Sequence, residues 1–179
     1  MKEQGLIREL VDSELIYGIG VSFNSATQEF LDTIKQYKNA VVHVINGIIT
    51  YGQMEFLADN DLKVLILGYK DFRRGTEYKE TARAYIEANQ INLKTYLKDF
   101  IPQFKVLSFD NLAIKQLNVR SLMSDEQWNE FYMGDDGSFT MYVDMVAEVF
   151  AKNSVAALDK RYTLRDTIDE MFAVVRKEN

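Results

Sequence analysis

The sequence predicts an α/β fold of four to five mostly parallel strands with covering helices. Short apolar runs each end in a small polar cluster, and amphipathic helical stretches separate these runs. Strands that alternate with helices pair in parallel through right-handed crossovers. Because the 179 residues contain no linker or low-complexity segment, we expect a single domain over residues 1–179.

The first part of the chain alternates predicted helices with the first three strands. Gly18 and Gly20 share one face of the first strand, which indicates close approach by another backbone or a ligand. Ser25 or Asn24 is expected to cap the helix that follows. The predicted elements are, in order, a helix around residues 6–11, a strand at 16–22, a helix at 30–37, a strand at 40–45, a helix from Thr50 to about 59, and a strand at 63–67.

The second part is less regular, and one element begins with a capping box formed by Ser124 and Gln127. Asp144 lies at the end of the last predicted strand. The predicted elements are a loop at 71–79, a helix from 80 toward 100 with a break near 89–92, a strand at 105–109, a short helix at 112–119, a helix from 124, a turn at 134–137, a strand at 139–143, a helix at 145–152 and a helix at 165–176.

Composition excludes several classes of function. The formal net charge of -6 disfavours non-specific binding to nucleic acid, which depends on neutralising phosphates. The absence of cysteine excludes disulfides, thiolate metal sites and a cysteine nucleophile. No apolar run is long enough to span a membrane, and residues 1–12 do not read as a secretory signal. We therefore expect a cytoplasmic protein without a metal site.

His43, the only histidine, lies in the middle of the second strand between two valines. We interpret it as a hydrogen-bonded histidine inside the barrel or under a helix. A catalytic base is the alternative, although such a base would more naturally lie at a strand end.

Polar residues follow three of the predicted strands at the same edge of the sheet. They are Asn46 with Gly47, then Gly68, Tyr69 and Lys70, then Asp110 with Asn111. Binding sites of parallel α/β folds lie at the carboxyl ends of the strands, so these residues are candidates to line a pocket. They could equally be ordinary helix caps and turns, where Asn, Asp and Gly are common.

A basic segment follows the third strand. Lys70, Arg73 and Arg74 could hold a phosphate or carboxylate group, or could form a solvated loop face. Asp110, Asn111 and Asp144 are further candidate contacts for an anion or substrate, and no residue pair has a spacing that identifies a catalytic site.

Four longer strings together resemble the C-terminal half of radical S-adenosylmethionine (SAM) proteins from bacteriophages and prophages. The strings are VHVING at 42–47, LILGYKDFRRG at 65–75, SFDNLAI at 108–114 and FYMGDDGSFTMY at 131–142. The resemblance covers nearly the whole chain, but it does not include the three-cysteine loop that defines that superfamily.

The resemblance implies a partial barrel whose later strands contact SAM at their carboxyl ends. By strand order, Ser22 and Asn24 match the strand end on the ribose side, and Asn46 matches the next strand end. Gly68 and Tyr69, with Leu67, match the strand whose backbone contacts the adenine.

The missing cysteines determine what this resemblance implies for activity. Without them the chain cannot hold the four-iron–four-sulfur cluster, so it should not cleave SAM reductively on its own. We expect this chain alone to hold either no cofactor or SAM. An iron–sulfur cluster is expected only if a partner chain supplies cysteines. The chain is then half of a split enzyme, a degenerate remnant or a SAM-type binding module.

Four or five strands do not close a barrel, so the sheet should have open edges and an apolar inner face. We therefore expect association with a cysteine-bearing N-terminal half or with a second copy. One alternative is a non-catalytic α/β interaction protein of a prophage or mobile element. Another is a complete enzyme that uses Asp110 and Asp144 as acid and base. The sequence does not indicate a substrate.

Overall fold

The computed structural model describes residues 4–72 and 74–178. The chain forms two compact units, residues 1–122 and residues 123–179. The first unit contains a parallel sheet with helices, and the second contains a small antiparallel sheet with two helices. The expectation of a single domain over residues 1–179 stays a prediction.

The first unit is built on four parallel strands in the spatial order β1-β2-β3-β4. This arrangement confirms the predicted α/β class and the parallel pairing. The first strand is shorter than predicted because Ile16 to Gly18 lie outside the ladder. The strands are β1 (Ile19–Ser22), β2 (Ala40–Ile45), β3 (Lys63–Leu67) and β4 (Val106–Phe109).

Five helices accompany this sheet, and their ends follow capping rules. Thr27 caps α2, so the expected cap at Ser25 or Asn24 is wrong, while Thr50 opens α3 with the expected helix start. Asp110 caps α5 through its carboxylate. The helices are α1 (Gln4–Asp12), α2 (Gln28–Lys35), α3 (Tyr51–Leu57), α4 (Arg74–Phe100) and α5 (Asn111–Leu117).

Helix α4 differs most from its prediction. The helix already begins at Arg74, within the segment that was expected to be a loop. Its backbone leaves helical geometry at Ala82, where φ is -125° and ψ is 21°, and stays helical through the predicted break at 89–92. Asn89 does not break the helix because its side chain is buried and donates a hydrogen bond to the Gly47 carbonyl oxygen at 3.2 Å.

One face of the sheet is buried and the other is not. Alternate residues of β2 and β3 are completely or almost completely buried, as Val42, Val64 and Ile66 show. The residues between them are partly exposed, and Ile45 and Val106 keep 41% and 46% of their surface. Right-handed crossovers between sequential parallel strands place the connecting helices α2, α3 and α4 on one side, which accounts for this asymmetry.

Of the two glycines of the first predicted strand, Gly18 marks the expected close approach of another backbone, whereas Gly20 lies against a side chain. A Cβ atom on Gly18 would lie 2.2 Å from the Asn39 carbonyl oxygen. A Cβ atom on Gly20 would lie 2.5 Å from Cε1 of His43. His43 therefore packs over Gly20 on the uncovered face, and its imidazole has no hydrogen-bond partner within residues 4–72 and 74–178, which corrects the expected hydrogen-bonded interior histidine.

In the second unit, two elements differ from their predictions. The predicted fifth strand is not part of the parallel sheet, and the predicted helix at 145–152 contains a strand instead. Phe150, Met171 and Val175 form its core. Its elements are α6 (Asp125–Phe131), β5 (Tyr142–Asp144), β6 (Val149–Ala151), β7 (Tyr162–Thr163) and α7 (Ile168–Val175), with β5-β6-β7 antiparallel.

A hydrogen-bonded turn explains why the 145–152 segment is not helical. Asp144 accepts hydrogen bonds from the backbone N–H groups of Val146 and Ala147, which reverses the chain into β6.

Across the described part of the chain, no helix is long and apolar enough to cross a membrane.

Candidate functional site

The carboxyl ends of β2 and β3 meet the start of α5 in one hydrogen-bonded network. Asp110 Oδ1 accepts from the Ala113 N–H at 2.7 Å, which caps α5, and from the Gly68 N–H at 2.9 Å. The same oxygen therefore joins the end of β3 to the first turn of the helix. Asp110 is positioned as a structural carboxylate that orients backbone groups at this edge.

Gln116 pairs with the backbone of Tyr69 at two points. Its Oε1 accepts from the Tyr69 N–H at 2.9 Å, and its Nε2 donates to the Tyr69 carbonyl oxygen at 2.9 Å. This double contact fixes which end of the Gln116 amide is oxygen and which is nitrogen. The Tyr69 side chain is buried, and its hydroxyl donates to the Gly75 carbonyl oxygen at 2.5 Å. Burial raises the pKa of the Tyr69 phenol, and the nearby Asp71 carboxylate raises it further.

Asn46 completes the network and leaves one atom unsatisfied. Its side chain is only 1% exposed, and its Nδ2 donates to Gln116 Oε1 at 3.0 Å. Its backbone N–H donates to the Leu67 carbonyl oxygen at 2.8 Å. The remaining polar atom, Oδ1, is buried and has no hydrogen-bond partner among the described residues.

A cavity of about 280 Å³ lies beside this network. Two ion pairs border it, one between Lys79 and Asp71 and one between Arg83 and Glu87 with an N···O distance of 3.2 Å. The hydrogen bond from Lys79 lowers the pKa of the Asp71 carboxyl. The lining residues are Asn46, Tyr69, Asp71, Lys79, Ile86, Glu87, Gln90 and Gln116.

A second, larger cavity of about 520 Å³ lies at the amino end of the strands. Lysines line it, but several of their ammonium groups have partners. Lys35 donates to Asn60 Oδ1 at 2.9 Å, Lys63 donates to Asn39 Oδ1 at 2.7 Å, and Lys105 pairs with Asp61 at 2.8 Å. The unsatisfied buried atom and the carboxyl ends of the strands make the smaller cavity the better candidate site.

The structure brings Asn46, Gly68, Tyr69 and Asp110 together, as the sequence analysis expected of residues at one edge. Ser22 and Asn24 lie at the end of β1, where both are exposed, and neither joins this network. In the strand register Ser22 pairs with His43, so both lie on the uncovered face. Asn46 is buried on the face that the helices cover. Ser22 and Asn46 therefore do not share one face of the sheet.

The backbone groups expected to contact adenine already have partners within the chain. The Gly68 N–H donates to Asp110, and both polar backbone groups of Tyr69 pair with Gln116. A Cβ atom on Gly68 would lie 2.4 Å from Cγ of Leu112, so this glycine allows α5 to approach β3. The assignment of Gly68 and Tyr69 to a cofactor stays a prediction, and the structure gives both residues a role in packing.

The remaining candidates occupy different surroundings. Lys70 is exposed at the start of the loop that follows β3, Asn111 is the first residue of α5, and Arg73 lies outside the described residues. Asp144 belongs to the second unit, where it accepts hydrogen bonds from the Tyr142 hydroxyl and from two backbone N–H groups. These hydrogen bonds, led by that from Ala147, lower the pKa of the Asp144 carboxyl and give it a structural role in the hairpin.

Six residues that line the cavity had no site prediction: Asp71, Lys79, Ile86, Glu87, Gln90 and Gln116. Four of them lie on α4, whose first turns were expected to be a loop, and Gln116 follows Asp110 by almost two helical turns. Only Gln116 had a signal in the sequence, because an amide near a capped helix start can reach a preceding strand end.

No cluster of three or more metal-ligating side chains occurs within residues 4–72 and 74–178. The chain also contains no cysteine, so its residues do not fit an iron–sulfur cluster. No protein-family model, no curated protein and no solved structure matches this chain.

Proposed function

We propose that this chain is a radical SAM-like half-barrel that is catalytically incomplete alone and works with a cysteine-bearing polypeptide. The single observation that carries the proposal is the uncovered face of the parallel sheet. Parallel sheets in proteins are almost always covered on both faces, and here only one is buried. The partial barrel, the phage-type family and a cytoplasmic location are parts of this proposal.

The uncovered face carries five apolar side chains, beside His43, Lys63 and Ser108. Val41, Ile45, Leu65, Leu67 and Val106 lie on it, and all are partly or largely exposed. Strands β1 and β4 are the outer strands of the sheet, so each presents an edge that further strands could extend. A polypeptide that adds strands at an edge and covers this face would bury apolar surface that otherwise faces water.

The proposal assigns the cluster chemistry to the partner. Because this chain has no thiolate to offer, the partner would supply the three cysteines, and this chain would supply the later strands of the barrel. A SAM-type ligand on the uncovered side could reach Ser22 and Asn24, which are exposed at the end of β1. Support for SAM as the ligand rests on the resemblance and on the accessibility of these two residues.

A non-catalytic interaction protein is the second candidate, and the same face favours it. In that case the occupant is a second copy of the chain related by two-fold symmetry, and the dimer buries both apolar faces. A SAM-type ligand and iron would then have no role.

The test is anaerobic co-purification of the tagged chain from its native host, followed by native mass measurement and the absorbance spectrum of the eluate. We expect a cysteine-containing polypeptide in stoichiometric amount and iron–sulfur absorbance. Ile45→Lys and Val106→Lys should abolish this association, because each places a charge on the uncovered face. Ile91→Lys is the matched control, since Ile91 is 65% exposed on α4.

Three results would contradict the proposal. A colourless homodimer that Ile45→Lys dissociates would support the interaction protein instead. A monomer, or a partner retained equally by all three variants, would show that the uncovered face is not the docking surface.

A further inference from the structure

The orientation of the Asn46 amide is determined by its neighbours. Gln116 must present Oε1 toward Asn46, because its two hydrogen bonds with Tyr69 fix the amide. Asn46 must then present Nδ2 to that oxygen, since turning the amide over would place two oxygens against each other. The unsatisfied atom is therefore an acceptor, and only a group that carries N–H or O–H can satisfy it.

The free-energy cost of leaving Asn46 Oδ1 unsatisfied indicates that a bound group donates a hydrogen bond to it. A buried acceptor without a donor destabilises a protein, and most such atoms in native proteins have partners. A neighbouring side chain could have satisfied Oδ1, but none of the described residues does so. Asn46 also lines the 280 Å³ cavity, which has room for more than one small group.

The hydrogen-bonding groups around the cavity select the kind of donor. Asp71 and Glu87 contribute two carboxylates, which pair with Lys79 and Arg83, so the charges around the cavity balance. The apolar side chain of Ile86 offers a surface for an alkyl group. A primary ammonium group supplies three N–H donors and no acceptor, which matches an unsatisfied carbonyl oxygen beside carboxylates.

We propose that this cavity binds a small primary amine, whose ammonium group donates a hydrogen bond to Asn46 Oδ1. The site is separate from the uncovered sheet face and does not depend on the function proposed above, because Asn46 is buried on the helix side. Less than 1 Å² of Oδ1 is accessible, so the side chains around it must shift as the amine enters.

The experiment is a titration of the full ¹⁵N-labelled chain, following the side-chain amide resonances of Asn46 and Gln116. Three probes separate the hydrogen bond from the charge. Propylammonium carries both charge and N–H groups, tetramethylammonium carries charge without N–H groups, and 1-propanol donates one hydrogen bond without charge. We expect a saturable shift of the Asn46 resonance with propylammonium, no saturable shift with tetramethylammonium, and weaker binding of 1-propanol.

Variants test the site without disturbing the buried network. Glu87→Gln should weaken propylammonium binding by roughly threefold or more, because it removes a carboxylate from the rim. The Glu87 side chain is 57% exposed, so this variant should remain folded. Glu77→Gln, on the first turn of the same helix and outside the cavity lining, should bind as the wild type does.

Equal shifts with propylammonium and tetramethylammonium would overturn the proposal, since charge alone would then explain them. The absence of any saturable shift would also overturn it and would leave an ordered water as the partner of Oδ1. Neither result depends on whether a cysteine-bearing partner exists.

Discussion

Gly68 shows at the scale of one residue how closely β3 and α5 approach. A Cβ atom there would lie 2.4 Å from Leu112 Cγ and 2.7 Å from the backbone nitrogen of Ala113. The backbone contact cannot be relieved by a side-chain rotation, so the helix would have to move. The glycine is thus required by packing, and this accounts for its presence without any ligand.

We predict that Gly68→Ala lowers the free energy of unfolding by about 1–3 kcal/mol, the usual cost of overpacking. Gly52→Ala is the matched control, because Gly52 lies in α3 and nothing is within 4 Å of its Cβ position. There alanine should stabilise the protein by up to about 1 kcal/mol through helix propensity. Urea denaturation measures both changes, and equal effects would contradict the packing explanation.

Tyr132 has a phenol whose pKa is shifted in the folded chain. Its ring stacks on Trp128 with centroids 4.2 Å apart, and its hydroxyl donates to Asp135 Oδ1 at 2.9 Å. Burial, followed by the hydrogen bond to Asp135, raises the pKa of Tyr132 to about 12. The neutral phenol is therefore favoured in the folded state, relative to an ordinary pKa near 10.

This pKa shift predicts a loss of stability at high pH. The contribution of Tyr132 is fully present below about pH 10 and disappears as pH rises toward 12, because the unfolded chain ionises first. Relative to Tyr132→Phe, the wild type should lose unfolding free energy over this range. Denaturation at several pH values measures the difference, and Asp135→Asn should reduce it. If the difference in unfolding free energy between wild type and Tyr132→Phe is constant from pH 9 to pH 12, the pKa of Tyr132 is not raised by folding.

At the scale of elements, Asp110 serves β3 and α5 together. Its Oδ1 caps the helix and also accepts from Gly68, so one carboxylate replaces two separate contacts. This dual use explains why a polar residue at this strand end need not bind a ligand. The interpretation of Asp110 as a helix cap, which the sequence analysis left open, is the one that the geometry supports.

We predict that Asp110→Ala lowers the free energy of unfolding by about 2 kcal/mol, from the lost cap and one further hydrogen bond. Thr50→Ala, which removes an ordinary capping box from α3, should cost only about 1 kcal/mol. Asp110→Asn keeps the acceptor oxygen and should cost less than Asp110→Ala. Chemical denaturation compares the three variants, and equal costs for Asp110→Ala and Thr50→Ala would argue against the dual role.

At the scale of the whole molecule, the two units differ in how much they bury. The first unit has an extended core that includes Val42, Val64 and Ile66, all completely buried. The second unit rests on a core of Phe150, Met171 and Val175. Small cores give marginal stability, so the two units should open at different free energies.

We therefore predict slower amide hydrogen exchange in β2 and β3 than in β6 and α7. The amides of Val64 and Ile66 should be among the slowest of the full chain, with those of Phe150 and Met171 faster by at least about tenfold. Exchange measured by NMR at neutral pH tests this. Equal protection in both units would indicate that they open as one cooperative body.

The sequence by itself determined the alternation of helices and strands, the parallel sheet and the capping box of Ser124 and Gln127. These features are local, since apolar periodicity, β-branched runs and Ser or Thr caps act within a few residues. It also placed Asn46, Gly68, Tyr69 and Asp110 at one edge, because parallel strands end together. The same local signals failed at 145–152, where the Asp144 turn, not periodicity, decides the structure.

Tertiary structure alone decided how the residues at that edge are used. Gln116 lies almost fifty residues beyond Tyr69, yet it takes both backbone groups of Tyr69 and thereby orients Asn46. No local pattern can reveal such a contact, because it depends on how α5 packs against β3. The cavity follows from the position of α4 as well, and the uncovered face is visible only once the helices that connect the strands have been placed on the other side. Hydrogen bonds and burial between distant segments are properties of the folded chain, which is why the unsatisfied oxygen of Asn46 could not have been found in the sequence.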